Sequence, residues 1–219
     1  MPSLIYIADP MCSWCYGFGP ELSALLDGLP GMPLHVVVGG LRAHNTQPMN
    51  AELKTTLLSH WQHVGQRSGL PFVPDALNRA GFVYDTEPAC RAVVAARTLA
   101  PTATLAVFHA IQHAFYAQGE DVTQPEVLAA TATAALSATG HPTEAERFLA
   151  LWQSDAAREA TEADFAQTRQ WGVSGFPTLV LERDGRLDLV SAGYLPMPKL
   201  VEVLETLVDA APAADRAPQ

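Results

Sequence analysis

Two cysteines three positions apart carry the strongest chemical signal in the chain: Cys12 and Cys15, in the run Asp9-Pro10-Met11-Cys12-Ser13-Trp14-Cys15. The thiolate, not the thiol, attacks disulfides and ligates metals. Cys12 falls where an apolar run ends at Asp9-Pro10 and helix formers begin, beside unpaired backbone N–H groups and the positive end of a helix dipole. That location favours the thiolate and makes Cys12 the nucleophile. Cys15, about one helical turn further on and more deeply set, is placed to displace a mixed disulfide and release the partner reduced. Between them, Ser13 offers a sulfur a hydroxyl or amide hydrogen bond, and Trp14 offers a substrate an apolar face. Asp9 has two readings of equal weight: a carboxylate that accepts or relays the proton of the resolving thiol, or a turn former before Pro10.

A Cys-x-x-Cys is also half of a zinc site, which needs two more ligands. The candidates are Cys90, His44 and the pairs His60/His63 and His109/His113, but no second Cys-x-x-Cys completes a four-sulfur set, so no metal is expected. His109 and His113 read as one solvated helix face. Cys90, following Glu87-Pro88 at a helix start, reads as a small buried residue.

Lys and Arg number 13 against 23 Asp and Glu, a formal charge of −10 that repels phosphate backbones and anionic lipid, and no basic cluster offsets it. Nucleic acid is not an expected partner. No apolar run approaches the ~20 residues of a membrane span, and the start lacks the basic stretch and cleavage site of an export signal. These features predict a cytoplasmic protein with no membrane partner. With 219 residues and 48% hydrophobic composition the chain can bury a real core in one domain, or in a small domain carrying an insertion.

The elements that must position the cysteines follow from pattern. Residues 3–8 are a buried strand, a helix runs from about Cys12 to Leu26 with Gly17, Gly19 and Pro20 bending its first turns, and Leu34–Val38 is a second strand closed by Gly39-Gly40. That is a βαβ unit with parallel strands. From Met49 to Gln167 strand-type runs nearly vanish and helix formers dominate; Leu105, Phe108, Ile111 and Phe115 mark one apolar helix stripe. A linking helix containing Phe165 and Trp171 leads to two strands around Asp184-Gly185, a hairpin turn, and a closing helix from Pro198 to about Leu207. One mixed sheet follows, parallel in its first half and antiparallel in its second, with helices on both faces. Arg42 and His44, after the second strand, lie at the carboxyl edge where α/β ligands bind.

The runs Asp9–Phe18 and Gly172-Val173-Ser174-Gly175-Phe176-Pro177-Thr178 resemble the DsbA family of the thioredoxin fold, most of all its cytoplasmic FrnE-like branch. The resemblance spans nearly the whole chain. It implies an α/β thioredoxin-like domain from residues 1–48 and 168–210, interrupted by a helical insertion over 49–167, with a tail at 211–219. It also implies a dithiol–disulfide oxidoreductase with Cys12 and Cys15 as its redox pair and Pro177 in a cis peptide beside the sulfurs. Phe176, as the residue before such a proline, would lend its N–H and C=O to an extended client; an ordinary trans proline opening an edge strand is the alternative. No cofactor beyond the dithiol is implied, with protein or small-thiol disulfides as substrates and glutathione as a co-substrate. The runner-up is a glutathione-dependent isomerase or transferase similar to the kappa-type 2-hydroxychromene-2-carboxylate isomerases, which typically carry a single Ser where Cys12 stands. A non-enzymatic zinc-binding module is the third reading.

Overall fold

The computed structural model describes residues 2–209, and the tail expected at 211–219 lies outside them. Strand β1 (Ser3–Ala8) is buried along its whole length, as a central strand must be. Strand β2 (Leu34–Val38) runs parallel to it on one side; β3 (Thr178–Arg183) runs antiparallel on the other, and β4 (Arg186–Ala192) lies beyond β3. The hairpin turns on Asp184 and Gly185 at φ 51° and 78°. Both residues are left-handed, as a two-residue turn between twisted strands requires, which is why an Asp-Gly pair stands there.

Eight α-helices complete the described residues: α1 (Ser13–Asp27), α2 (Ala51–Ser68), α3 (Glu87–Leu99), α4 (Thr104–Tyr116), α5 (Pro125–Ala138), α6 (Ala145–Trp152), α7 (Asp155–Gln170) and α8 (Met197–Asp209). Asn50 caps α2 by accepting from Leu53 N at 2.8 Å, and Ser154 caps α7 by accepting from Ala157 N at 3.2 Å. Helix α1 continues through Pro20 to Asp27, and Gly17 serves close packing: a Cβ there would stand 2.5 Å from Val64 of α2. The first helix of the βαβ unit and the first helix of the insertion are thus in direct contact.

The two faces of β1 enter different cores. Leu4, Tyr6 and Ala8 join the main core with α1, α8 and the insertion helices, where Tyr6 meets Phe108 of α4 edge-on at 5.6 Å. Ile5 and Ile7 join Val180 beneath Val37, Trp171, Val173 and Phe176. Trp171 is not within the linking helix; it caps the end of α7. The second face is therefore covered by the exit of α7 and its loop, where a helical stripe was expected. Helix α7 instead guards the free edge of β2: Val38 N donates to Asp164 at 3.0 Å, and Val38 O accepts from Thr168 at 3.5 Å. Arg97 of α3 donates to Val36 O at 2.7 Å and pairs with Asp164. An unpaired strand edge would otherwise template association.

Phe108, Ile111 and Phe115 are fully buried, while Leu105 at the start of the stripe is only partly so. The expectation of a solvated His109/His113 face is corrected. His113 is exposed, but His109 turns inward toward Gly19 of α1, 3.7 Å from where a Cβ would be, and its Nε2 is buried without a protein partner. Burial lowers its pKa to about 4. An unfolded chain takes up this proton near pH 6.5, so stability falls as pH drops from 6.5 through 4, by about 3 kcal/mol in all. Urea unfolding at pH 7 and pH 4.5 should show His109→Gln losing less stability on acidification than the wild type; equal losses would remove His109 as the cause.

Candidate functional site

The strand-to-helix junction is built by Asp9. Its Oδ1 accepts from Met11 N at 2.8 Å, closing the turn, and its backbone carbonyl accepts from Cys12 N at 3.0 Å. Oδ2 then reaches across to Leu41 N at 2.7 Å, tying the end of β1 to the loop after β2. Asp9 forms the turn, as one of its two readings expects, and its carboxylate is completely buried.

Cys12 occupies the N-cap position of α1 with extended backbone, φ −93° and ψ 118°. No side chain caps the helix and no acidic residue lies in its first turn, so its opening amides are left to the sulfurs and to ligands. Cys12 is 6% exposed and Cys15 not at all, which separates a sulfur that can be touched from one that cannot. All three cysteines are free thiols. Burial pushes the Cys15 thiol well above its ordinary range, and its hydrogen bond to Cys12 and the charges of Cys12 and Asp9 push the same way.

The other half of the chain supplies the roof. The Phe176–Pro177 peptide bond is cis. The Cys12 thiol donates to the Phe176 carbonyl at 3.7 Å. The Phe176 ring is seated over Gly39, where a Cβ would lie 2.0 Å from the ring, and a Cβ on Gly40 would meet the Phe165 ring at 2.8 Å. The glycine pair that closes β2 is therefore a seat for two aromatic rings as well as a strand stop. Behind Phe176, on the sheet face away from α1, an apolar cleft of about 500 Å³ is lined by Ile5, Ile7, Trp171, Val180 and Leu189. It does not open onto the sulfurs.

The insertion closes the remaining sides. Tyr84 donates its hydroxyl to Met11 O, one residue before Cys12, and Arg42 stacks over the Tyr84 ring at 5.6 Å. Trp14, partly buried, packs on Tyr194 at 5.9 Å, and Arg67 of α2 lies over the Tyr194 ring at 5.2 Å. Tyr194 donates to Glu21 at 2.6 Å, and Glu21 also accepts from Met197 N at 2.7 Å, fastening α1 to the start of α8.

The structure gathers Asp9, Cys12, Trp14, Cys15, Phe176 and Pro177 at one corner, and places Arg42 beside them. His44 is elsewhere: it pairs with Glu162 at 2.6 Å on the exposed side of α7. His60 and His63 are exposed on α2. Among the described residues no three His, Cys, Asp or Glu side chains are grouped as a metal ion would need. Gly39, Tyr84, Thr86 and Tyr194 went unread in the sequence as site residues, because each acts through a contact with a distant segment; only the Gly-Gly pair left a local trace.

Comparison with known proteins fits this geometry. The family model described as a DSBA-like thioredoxin domain matches residues 4–205. A Nitrosomonas europaea protein, assigned provisionally as a disulfide isomerase, superposes with TM-score 0.84 at 38% identity over 96% of this chain and 99% of its own. The cytosolic disulfide reductase DsbM from Pseudomonas aeruginosa superposes with TM-score 0.74 at 30% identity over 94% and 98%. A 2-hydroxychromene-2-carboxylate isomerase shares the fold at 18% identity, with TM-score 0.61 and 94% of each chain covered. No curated protein matches the sequence.

The Gly39 seat makes a sharp prediction. Gly39→Ala must expel the Phe176 ring and should cost about 1–3 kcal/mol of stability as an overpacked contact. Gly175→Ala, in the same loop but with nothing within 4 Å of its Cβ, should stay within about 0.5 kcal/mol of wild type. Equal unfolding midpoints for the two variants in urea would show that the ring seat is not tight.

Proposed function

The chain belongs to the DSBA-like thioredoxin-domain family, and on that premise we propose that it is a thiol–disulfide oxidoreductase using Cys12 and Cys15 as its dithiol. The observation that carries the reading is the unequal burial of the two sulfurs, one at the mouth of α1 under the Phe176 carbonyl and one sealed beneath it. The Cys12 thiolate attacks one sulfur of a substrate disulfide, forming a mixed disulfide and expelling the other sulfur as a thiolate, which takes a proton from solvent. Cys15 then gives its proton to the Asp9 carboxylate and attacks Cys12. The Cys12–Cys15 disulfide forms and the second substrate sulfur leaves, so the substrate gains the two electrons that the dithiol loses.

Phe176 and Pro177 hold the client. While Cys12 is protonated, its thiol occupies the Phe176 carbonyl; loss of that proton on attack frees the carbonyl for a backbone N–H of an extended substrate. Trp14 and Tyr194 give the client apolar surface beside the sulfur. The proposal takes no cofactor beyond the dithiol.

Reduction is the direction that the relatives support. DsbM is a cytosolic disulfide reductase solved also with glutathione, at 28% identity to this chain. Glutathione as the electron donor would return the dithiol by two thiol–disulfide exchanges, producing one oxidised glutathione. The same proposal takes a reducing, cytoplasmic setting and the FrnE-like branch of the family. No helix among the described residues is long and apolar enough to cross a membrane.

Insulin reduction with glutathione as donor tests the assignment. Cys12→Ser should lower the rate at least about 100-fold, and Cys15→Ser should accumulate a Cys12-linked mixed disulfide visible by mass spectrometry. Brief alkylation of the native protein should label Cys12 ahead of Cys15 and Cys90. Full activity in Cys12→Ser would refute the proposal.

A further inference from the structure

The dithiol cycle leaves one thiol without a task. Cys90 stands in the first turn of α3, completely buried, with its backbone N donating to Thr86 O at 3.0 Å. Thr86 and Cys90 are four residues apart and so project from one side of the helix start. That side faces Asp9. The Cys90 thiol reaches Asp9 Oδ2 at 3.5 Å. The Thr86 hydroxyl accepts from Arg42 N at 3.2 Å and stands close enough to Asp9 to lower its carboxyl.

Three donors therefore converge on one buried carboxylate: the amides of Met11 and Leu41 and the Cys90 thiol. The two amides are fixed by the turn and by the loop after β2. The side-chain donor comes from α3, a helix of the insertion. An apolar side chain would fill the position of Cys90 as well as sulfur does, but would leave Oδ2 short of a donor in a site that water does not reach. A buried carboxylate keeps its charge only while its hydrogen bonds are made.

We infer that Cys90 is a positioning residue of the resolving step: its thiol donates to Asp9 Oδ2 and holds that carboxylate ionised and aimed, ready to take the Cys15 proton. The inference rests on the dithiol reading above. Cys90 exchanges no electrons and forms no covalent bond in this role. Burial holds the Asp9 carboxyl above its ordinary range, and the hydrogen bonds offset that only in part; burial and Asp9 itself raise the Cys90 thiol, so Cys90 stays a donor through the working range. The other titratable groups around the cluster are Cys12 and Cys15 from α1, Tyr84 and Arg42 from the loops, Glu87 of α3 and Tyr116 of α4.

Removing the donor raises the Asp9 midpoint, so less carboxylate is available at a given pH and the curve of resolution rate against pH moves to higher pH. The variants are Cys90→Val, which removes the donor, and Cys90→Ser, which keeps one. The full chain, reduced, is mixed with 5,5′-dithiobis(2-nitrobenzoate) by stopped flow from pH 5 to 9: attack by Cys12 releases a first thionitrobenzoate, and displacement by Cys15 releases a second. In parallel the Asp9 carboxyl carbon is titrated by ¹³C NMR. Cys90→Val should raise the Asp9 midpoint by about one pH unit, a tenfold change in its ionisation constant, with the second release slowed several-fold and its pH curve displaced alike. Cys90→Ser should restore both toward wild type. If the valine variant does not fold, Cys90→Ala makes the same comparison. An unmoved Asp9 midpoint, or serine and valine variants equally impaired, would overturn the role of Cys90. A wild-type protein with no second release would instead overturn the dithiol reading, which separates the two failures.

Discussion

The approach of the Cys12 sulfur to the Phe176 carbonyl, at 3.7 Å across 164 residues of sequence, is the constraint that the rest of the structure serves. Neither partner can reach the other unless the two halves of the sheet pair in one register. In that register Ile7 stands opposite Thr178 and Tyr6 opposite Leu179, so the residues just after β1 and just before β3 meet at the same sheet edge. A slip of one residue would turn Leu4, Tyr6 and Ala8 from the main core to the opposite face and would part the cysteine turn from the proline loop. The burial of β1 on both faces therefore fixes the active corner as well as the sheet.

The same corner shows how an acidic chain keeps a thiol pair workable. The excess of carboxylates is kept out of the first turn of α1, and Asp9 is held close behind the sulfurs with its carboxylate bonded by two amides and a thiol. A carboxylate in such a place raises the Cys15 thiol further, and in the proposed mechanism it is also the destination of that proton. Burial distinguishes the two cysteines: of the pair, Cys12 alone keeps any exposed surface.

How far this could be read from the chain depends on the range of each interaction. The strand-stop at Asp9-Pro10, the helix after Cys12 and the Asp-Gly hairpin are written in adjacent residues, and the element order that follows from them is the order found. The packing of a core is not local in that way. Trp171 has a helix former's neighbours yet ends α7, because its ring is needed over Ile5 and Ile7 on the second sheet face. His109 has the spacing of a surface pair, but its side of α4 faces α1, and only the packing of those two helices decides that it is buried. Cys90 looked like filler because its partner Asp9 is 81 residues away.

The helical insertion, which a reading of composition can identify but cannot orient, is thereby the part that turns a thioredoxin-like sheet into this particular site. Tyr84 anchors the carbonyl before Cys12, and Arg67 braces the Tyr194 ring against which Trp14 lies. Arg97 and α7 seal the β2 edge on which Gly39 depends for its position. Each of these contacts comes from a segment that contributes no strand. The same helices supply the Cys90 thiol to Asp9, so in the proposed mechanism the insertion reaches the proton transfer as well as the shape of the mouth.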